Sequence, residues 1–161
     1  MVLAQSGFET AHINLRSIPA GYYLDLDVHI DKSDKDILCI KEQNLNESVQ
    51  KVFLITLKGP STIYYLQSKE AHKEVINSCK EFDYICKYQS SEPFEYKFPP
   101  QRVLRADDYH GSVHLAGFHN GSIHAPPITN EQRVIISIKP SSLEDVGKIQ
   151  DLASWGWEIP Q

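Results

Sequence analysis

Alternating apolar and polar positions recur along the chain and predict short β-strands. The alternation runs over residues 12–18 and again over residues 22–31. In the second run the apolar positions share one face of the strand, while His29 and Asp31 share the other face with two further aspartates. A face with three carboxylates and a histidine favours a strand whose end enters a polar cavity over one that is simply exposed to solvent.

Continuous apolar and β-branched runs complete the β pattern. Residues 52–58 form such a run, which predicts a strand buried on both faces. A turn at Gly59 and Pro60 follows, and residues 62–66 are predicted to return as the hairpin partner of that strand. Further short strands are predicted at residues 37–40, 102–105, 112–116, 122–124 and 133–139.

Helical spacing is confined to two segments. Apolar residues recur every three or four positions over residues 68–87, and Ser68 is a candidate N-cap. A helix over that range would carry Cys79 and Cys86 on one face, as buried thiols. A second capped helix is predicted near the start of the C-terminal extension, residues 141–161.

The number and spacing of these elements predict a mainly β fold. About eight short strands, with turn signals roughly every ten residues and one or two helices, favour a barrel or sandwich over a layered α/β sheet. A length of 161 residues is most simply one domain, residues 1–161, with a core at about residues 12–139.

The charge and hydropathy of the chain argue against nucleic acid and membranes as binding partners. The net charge is −5, which argues against the electrostatic grip that nucleic-acid-binding proteins use and against an anionic membrane surface. No apolar run approaches the length of a membrane span. The first residues have neither the basic start nor the apolar centre of a signal peptide, so a cytoplasmic location is expected.

A pair of residues on the second predicted strand has the spacing of a metal site. His29 and Asp31 lie two positions apart, so both side chains point the same way and can bind one ion. A third ligand must come from elsewhere. Two imidazoles and one carboxylate on one face of an octahedron leave three positions open, as in the facial triad of non-haem iron(II) oxygenases.

The downstream histidines are the obvious source of the third ligand. Four of the seven histidines fall within residues 110–124: His110, His114, His119 and His124. We favour His124, because it ends a strand-like segment and is followed by a Pro-Pro turn and a strand that opens with Arg133. His119 is the rival ligand. His114 alternates in phase with Ser112 and Ala116 and can therefore face the same cavity.

At these residues the chain resembles a known family, the 2-oxoglutarate- and iron(II)-dependent oxygenases. In that family a His-x-Asp ends an early core strand, a distal histidine follows near the end of the core, and an arginine comes about ten residues later. Here those positions are His29, Asp31, His124 and Arg133. The resemblance covers roughly residues 12–139.

The resemblance implies a fold, two cofactors and a reaction. It implies a double-stranded β-helix (a jelly roll, cupin-like) in which His29, Asp31 and His124 hold Fe(II). It also implies that Arg133 holds the far carboxylate of 2-oxoglutarate, and that the protein hydroxylates a small molecule or a protein side chain. The sequence does not indicate which substrate.

One departure from the family concerns the co-substrate. Many members have a Ser or Thr two positions after the arginine, where this chain has Ile135. Lys58, Tyr64 or Thr56 are the residues that can complete the anchor in its place. Arg133 can alternatively be a structural residue, paired with Glu131 or a nearby aspartate.

Other functions remain open at this stage. Only 28 residues precede the His-x-Asp, so the helices that usually support the core are missing; the fold is then minimal, a homodimer, or a degenerate member without the chemistry. A second hypothesis is a non-catalytic, cupin-like protein that binds zinc or nickel in order to sense or handle the metal. An acidic interaction or immunity protein with incidental histidines is a third.

Overall fold

The computed structural model of this protein describes residues 10–20, 28–34, 36, 49–78, 85–103, 110–127 and 129–146. Within them the strands are β1 (Thr10–Ile18), β2 (His29–Asp31), β3 (Gln50–Lys58), β4 (Ile63–Tyr65), β5 (Ile85–Lys87), β6 (Pro100–Val103), β7 (His110–Ala116), β8 (His124–Ala125) and β9 (Arg133–Ser141). The helices are α1 (Lys69–Asn77) and α2 (Phe94–Lys97). A further helix begins at Leu143, where Ser142 Oγ accepts a hydrogen bond from the backbone of Asp145. The chain is thus mainly β, as the alternating patterns predict.

The strands form two antiparallel sheets. One has the order β1-β9-β3-β7, and the other has the order β5-β2-β8-β4-β6. The pairing is nested, since β1 pairs with β9, β2 with β8, β3 with β7 and β4 with β6. Residues from the two halves of the chain therefore become direct neighbours, which is what brings the distant histidines together.

The four-stranded sheet buries one face. On β3, Val52, Leu54 and Thr56 are buried, whereas Phe53 and Ile55 on the opposite face are only half-buried. The prediction that this strand is buried on both faces is therefore wrong in degree. On the same outward face of the sheet, Ile13 is 69% exposed.

The chain changes sheets after β3. Residues 62–66 were expected to pair with β3, but β4 pairs with β6 and β8 in the other sheet. Gly59 makes this turn with a φ of 76°, and a Cβ there would lie 2.5 Å from the backbone oxygen of Gln132. The turn therefore passes too close to β9 for a side chain, and it carries the chain across instead of back.

The predicted helix over residues 68–87 is too long. Ser68 caps α1 by accepting from the Ala71 N–H, as expected, but the helix ends at Asn77. Ile85–Lys87 is a strand instead, paired with β2 so that Cys86 lies opposite Ile30. Cys86 is fully buried and disulfide-bonded, not a free thiol. At residues 85–87, pairing with β2 and burial of Cys86 therefore determine the structure, although the apolar residues have helical spacing.

The apolar core lies between the five-stranded sheet and the helices. It contains Val28, Ile30, Tyr65, Ala71, Val75, Cys86, Tyr88, Phe94, Ile123 and Ala125. Because side chains alternate along a strand, the residues between these core positions face the other way, toward the four-stranded sheet. His29, Asp31, Tyr64 and His124 are the residues placed there.

Some predicted elements lie outside the described residues. These are the strand over residues 37–40, the first part of the strand over residues 22–31, and most of the C-terminal extension.

Candidate metal centre

Strand pairing brings the two predicted halves of the site together. In the register of β2 with β8, His29 lies directly opposite His124. Asp31 follows on the same face of β2. One donor atom from each of these three residues lies within 4.8 Å of the other two. The two stretches were expected to meet and do so, while their role as metal ligands stays a prediction.

The donor atoms surround one carboxylate. His29 Nε2 is 3.8 Å from Asp31 Oδ1, and His124 Nε2 is 3.7 Å from Asp31 Oδ2. The two imidazole rings are 4.2 Å apart between centroids. Both histidines are buried, and the Asp31 side chain is 30% exposed, so the group can be reached from the carboxylate side.

The loop before β8 fixes the position of His124. A Cβ on Gly121 would lie 2.4 Å from the backbone oxygen of Gly117 and 2.5 Å from Ile30, so the loop packs closer than any side chain allows. The backbone N–H of Ile123 donates to Gln67 Oε1 at 3.0 Å. These contacts explain why His124 reaches the site although β8 has only two residues.

The hydrogen bond of its other ring nitrogen orients the His124 imidazole. His124 Nδ1 lies 2.9 Å from the carbonyl oxygen of Ser122. Since a carbonyl oxygen only accepts, Nδ1 carries the proton and Nε2 keeps its lone pair. Metal-binding histidines commonly have this arrangement, in which a second hydrogen bond sets the tautomer and the ring plane.

A third histidine contacts the same carboxylate. His114 on β7 is buried, and its Nε2 lies 2.9 Å from Asp31 Oδ2. Its ring is 4.6 Å from the ring of His124. The alternation of β7 indicated that His114 can face the cavity, but no pattern in the sequence indicated that it contacts Asp31.

The electrostatics favour a charged Asp31 carboxylate and a neutral His124 imidazole. Burial alone raises the pKa of Asp31, but His124, His114 and His29 outweigh it and hold the pKa far below its ordinary value of 3.8. Burial and the neighbouring His29 lower the pKa of His124 from 6.5 to about 3. At neutral pH, Asp31 and His124 are therefore in the protonation states that bind metal.

The donors are spaced more widely than around a bound first-row metal ion. Bonds of roughly 2.0–2.2 Å require neighbouring donor atoms roughly 3–3.5 Å apart. The contacts of 3.7 and 3.8 Å are made by two different oxygens of Asp31, and with one donor atom from each residue the donors lie within 4.8 Å of one another. They would therefore have to move closer together around an ion. Two imidazoles and one carboxylate are the donors preferred by iron(II), zinc and related ions.

Arg133 is buried and incompletely paired. The side chain is 3% exposed, and its Nε donates to the carbonyl oxygen of Pro60 at 2.8 Å. Its Nη2 is buried and has no hydrogen-bond partner among the described residues. Burial lowers the pKa of Arg133, and no described carboxylate acts on it, so the expected alternative of an ion pair with Glu131 is not found there. A buried donor without a partner is costly, and an anion would satisfy it.

The other predicted co-substrate residues are placed differently. Tyr64 lies with its ring 6.1 Å from His124 and its hydroxyl 2.9 Å from Ser112 Oγ. Lys58 is exposed and donates to Gln132 Oε1, so the structure does not bring it to the buried group. His119, the rival ligand, is outside the three-residue group and packs against Phe118 at 4.9 Å.

A buried hydroxyl pair lies across from Ile135. Thr56 is paired with Ile135 in the register of β3 with β9, and its Oγ1 donates to Ser61 Oγ at 3.1 Å. Thr56 is 4% exposed and Ser61 is 1% exposed. The departure at Ile135 is thus accompanied by hydroxyls on the facing strand. Thr56 was one of the expected candidates, whereas Ser61 had no signal in the sequence.

Comparisons with known protein families, with curated proteins and with solved structures gave no match for this chain. Among the described residues, no helix has the length and apolar character needed to cross a membrane.

Proposed function

We propose that this protein is a jelly-roll oxygenase that depends on iron(II) and 2-oxoglutarate and acts on a small molecule or a protein side chain. The observation that carries the proposal is the pairing of His29 with His124, which places two imidazoles and the Asp31 carboxylate at one point. This is the donor set of the facial triad.

The topology supports the jelly-roll part of the proposal. Apart from β5, eight strands pair in nested order, first with last and inward to β4 with β6. A jelly roll is built in this way, as two facing sheets formed by one folded-over antiparallel ribbon. The site lies on the inner face of one sheet, where cupin-like proteins commonly hold metal.

Arg133 supports the co-substrate part. Its unpartnered Nη2 is a buried donor on the inward face of β9, and the Thr56–Ser61 hydroxyl pair lies on the adjacent strand and turn. Residues diagonal to each other across a strand pair are roughly 7–8 Å apart, within reach of one small carboxylate. A guanidinium and a hydroxyl are suitable groups to bind it.

Each group of residues has a separate role in this proposal. His29, Asp31 and His124 would hold the metal, and Arg133 would orient the co-substrate. The half-buried ring of Tyr64 and the buried ring of His114 would limit access of water. Iron(II) with 2-oxoglutarate supplies oxygen activation when bound, and the protein supplies position and a dry cavity.

The test is an anaerobic titration. Metal-free protein is mixed with iron(II) and 2-oxoglutarate, and the weak visible charge-transfer absorption of the ternary complex is recorded. We expect the band in the wild type and in His119→Ala, and its loss in His124→Ala. Arg133→Ala should weaken 2-oxoglutarate binding far more than iron binding. Metal binding without any 2-oxoglutarate band in the wild type contradicts the proposal.

A second candidate function is non-catalytic metal binding by a cupin-like protein. The specific observation in its favour is that the two imidazoles and the carboxylate of His29, Asp31 and His124 are also donors that zinc prefers. Bound zinc in the purified protein, together with no 2-oxoglutarate binding, would support this candidate.

A further inference from the structure

We propose that His114 is a positioning residue of the metal site, which donates a hydrogen bond to Asp31 and holds its carboxylate toward His29 and His124. This inference rests on the proposed function only in that both need a metal ion at those three residues. It does not depend on 2-oxoglutarate or on any reaction.

The distances separate His114 from the other two histidines. Its Nε2 is 2.9 Å from Asp31 Oδ2, which is hydrogen-bond distance, whereas the His29 and His124 contacts with Asp31 are 3.8 and 3.7 Å. An ionised carboxylate only accepts hydrogen bonds, so His114 Nε2 must carry a proton. A protonated ring nitrogen has no lone pair for a metal, and His114 is therefore a donor to the ligand and not itself a ligand.

The contact also crosses between the two sheets. Asp31 lies on β2 of the five-stranded sheet, and His114 lies on β7 at the edge of the four-stranded sheet. The backbone makes a second link beside it, since the Gly117 N–H just beyond β7 donates to the Asp31 carbonyl oxygen at 2.8 Å. The backbone bond fixes where residue 31 lies, and the His114 bond fixes which way its side chain points.

Among the described residues, the His114 side chain has no hydrogen-bond partner other than Asp31. It is 3% exposed, and its Nδ1 is buried with no hydrogen-bond partner there. The ring is otherwise packed near His124 and Tyr64, at 4.6 and 6.3 Å between centroids. Burying an imidazole with one nitrogen unsatisfied is unfavourable, so its single strong bond to Asp31 accounts for its presence.

Asp31 needs such a partner. Its side chain is 30% exposed and lies at the end of a strand of only three residues, so packing alone does not hold the carboxylate in one orientation. Groups that hydrogen-bond to metal ligands typically contribute 10–100-fold to metal affinity for this reason.

The experiment is a cobalt(II) titration of the metal-free protein, followed by visible absorption. His114→Leu removes the donor, while His114→Gln offers an amide N–H near the position of Nε2. We expect His114→Leu to weaken cobalt affinity by about 10–100-fold and His114→Gln to restore most of it. The cobalt bands should keep the same positions and intensities, because the ligands are unchanged. His119→Ala is the matched control and should bind as the wild type does.

Any of three results would overturn the inference. If His114→Gln loses as much affinity as His114→Leu and the band intensities change, His114 is a ligand. If neither variant changes the affinity, or the wild type binds no cobalt, His114 does not position a metal ligand. The oxygenase proposal fails separately, when cobalt binding depends on the His114 donor but no 2-oxoglutarate band forms. Because leucine and glutamine have similar volumes, comparing the two variants separates loss of the hydrogen-bond donor from loss of packing.

Discussion

Replacing Asp34 with alanine removes a carboxylate that links the end of β2 to the start of β3 and the end of β9. Asp34 follows β2 and is 2% exposed. Its carboxylate is 2.6 Å from Lys139 Nζ and accepts hydrogen bonds from Ser141 Oγ at 2.6 Å and Gln50 Nε2 at 2.8 Å. Gln50 also donates to the Pro140 carbonyl oxygen. Loss of Asp34 leaves the end of β9 and the start of β3 without their shared partner.

The expected cost follows from burial. Breaking a fully buried ion pair costs about 3–5 kcal/mol. The Lys139 side chain is 23% exposed and regains water, so we discount this to about 2–4 kcal/mol. With a urea m-value of about 2 kcal/mol/M, the midpoint of unfolding should fall by about 1–2 M while m stays constant.

The pH dependence gives an independent check. The pKa of Asp34 is lowered, because Lys139, Ser141 and Gln50 together outweigh the opposing effect of burial. A lowered carboxyl pKa stabilises the folded state above the unfolded value of 3.8, and that stability is lost as the pH falls below it. The stability difference between wild type and Asp34→Asn should therefore be fully present above about pH 5 and shrink as the pH falls below 3.8.

The assay is urea unfolding followed by far-ultraviolet circular dichroism. The control is Glu131→Ala at an exposed position, which should change the unfolding free energy by less than about 0.5 kcal/mol. If Asp34→Ala stays within the same limit at pH 7, or if its effect is equally large below pH 3.8, the reasoning from this network is wrong.

Three further predictions concern His124 and the loop that precedes it. Gly121→Ala should lower the unfolding free energy by about 1–3 kcal/mol, since its Cβ would meet backbone at 2.4 Å; an unchanged thermal midpoint contradicts this. His72, whose ring nitrogens lie 2.9 Å from the Ser68 carbonyl oxygen and 2.7 Å from that of Gly121, holds the same loop; His72→Ala should weaken cobalt binding, and equal affinity would exclude that role. The pKa of His124, lowered from 6.5 to about 3, removes stability from the metal-free protein as the pH falls from 6.5 toward 3. His124→Gln should reduce that slope by at most about 1.4 kcal/mol per pH unit, and an identical slope refutes it.

The strands that the sequence predicted best are the long ones, which have clear apolar patterns. β1, β3 and β9 have nine residues each, and the long patterns that predict them survive in the structure. The errors come from short elements whose partners are remote. β4 joined the other sheet, and residues 85–87 became a strand, because neither local pattern contains information about the strand beside it.

The candidate site was partly predictable for a similar reason. The spacing of His29 and Asp31 places both on one face of a strand, and that needs no tertiary information. That they meet His124 follows from strand register, which the sequence suggested only through a resemblance. The contact of His114 with Asp31 crosses between sheets, and the Thr56–Ser61 pair depends on how the Gly59 turn packs. Neither contact has a periodic signal.

The nested pairing also sets the order in which the protein can be made. The neighbour of β1 in its sheet is β9, which leaves the ribosome more than a hundred residues later. At roughly 5–20 residues per second, β1 waits several seconds with Ile13 and Leu15 unpaired. The five-stranded sheet cannot be completed until β8 emerges, and the four-stranded sheet cannot be completed until β9 emerges. Folding is therefore expected to be late, slow and dependent on non-local contacts. During synthesis the early strands are therefore natural clients for a chaperone that binds extended apolar segments.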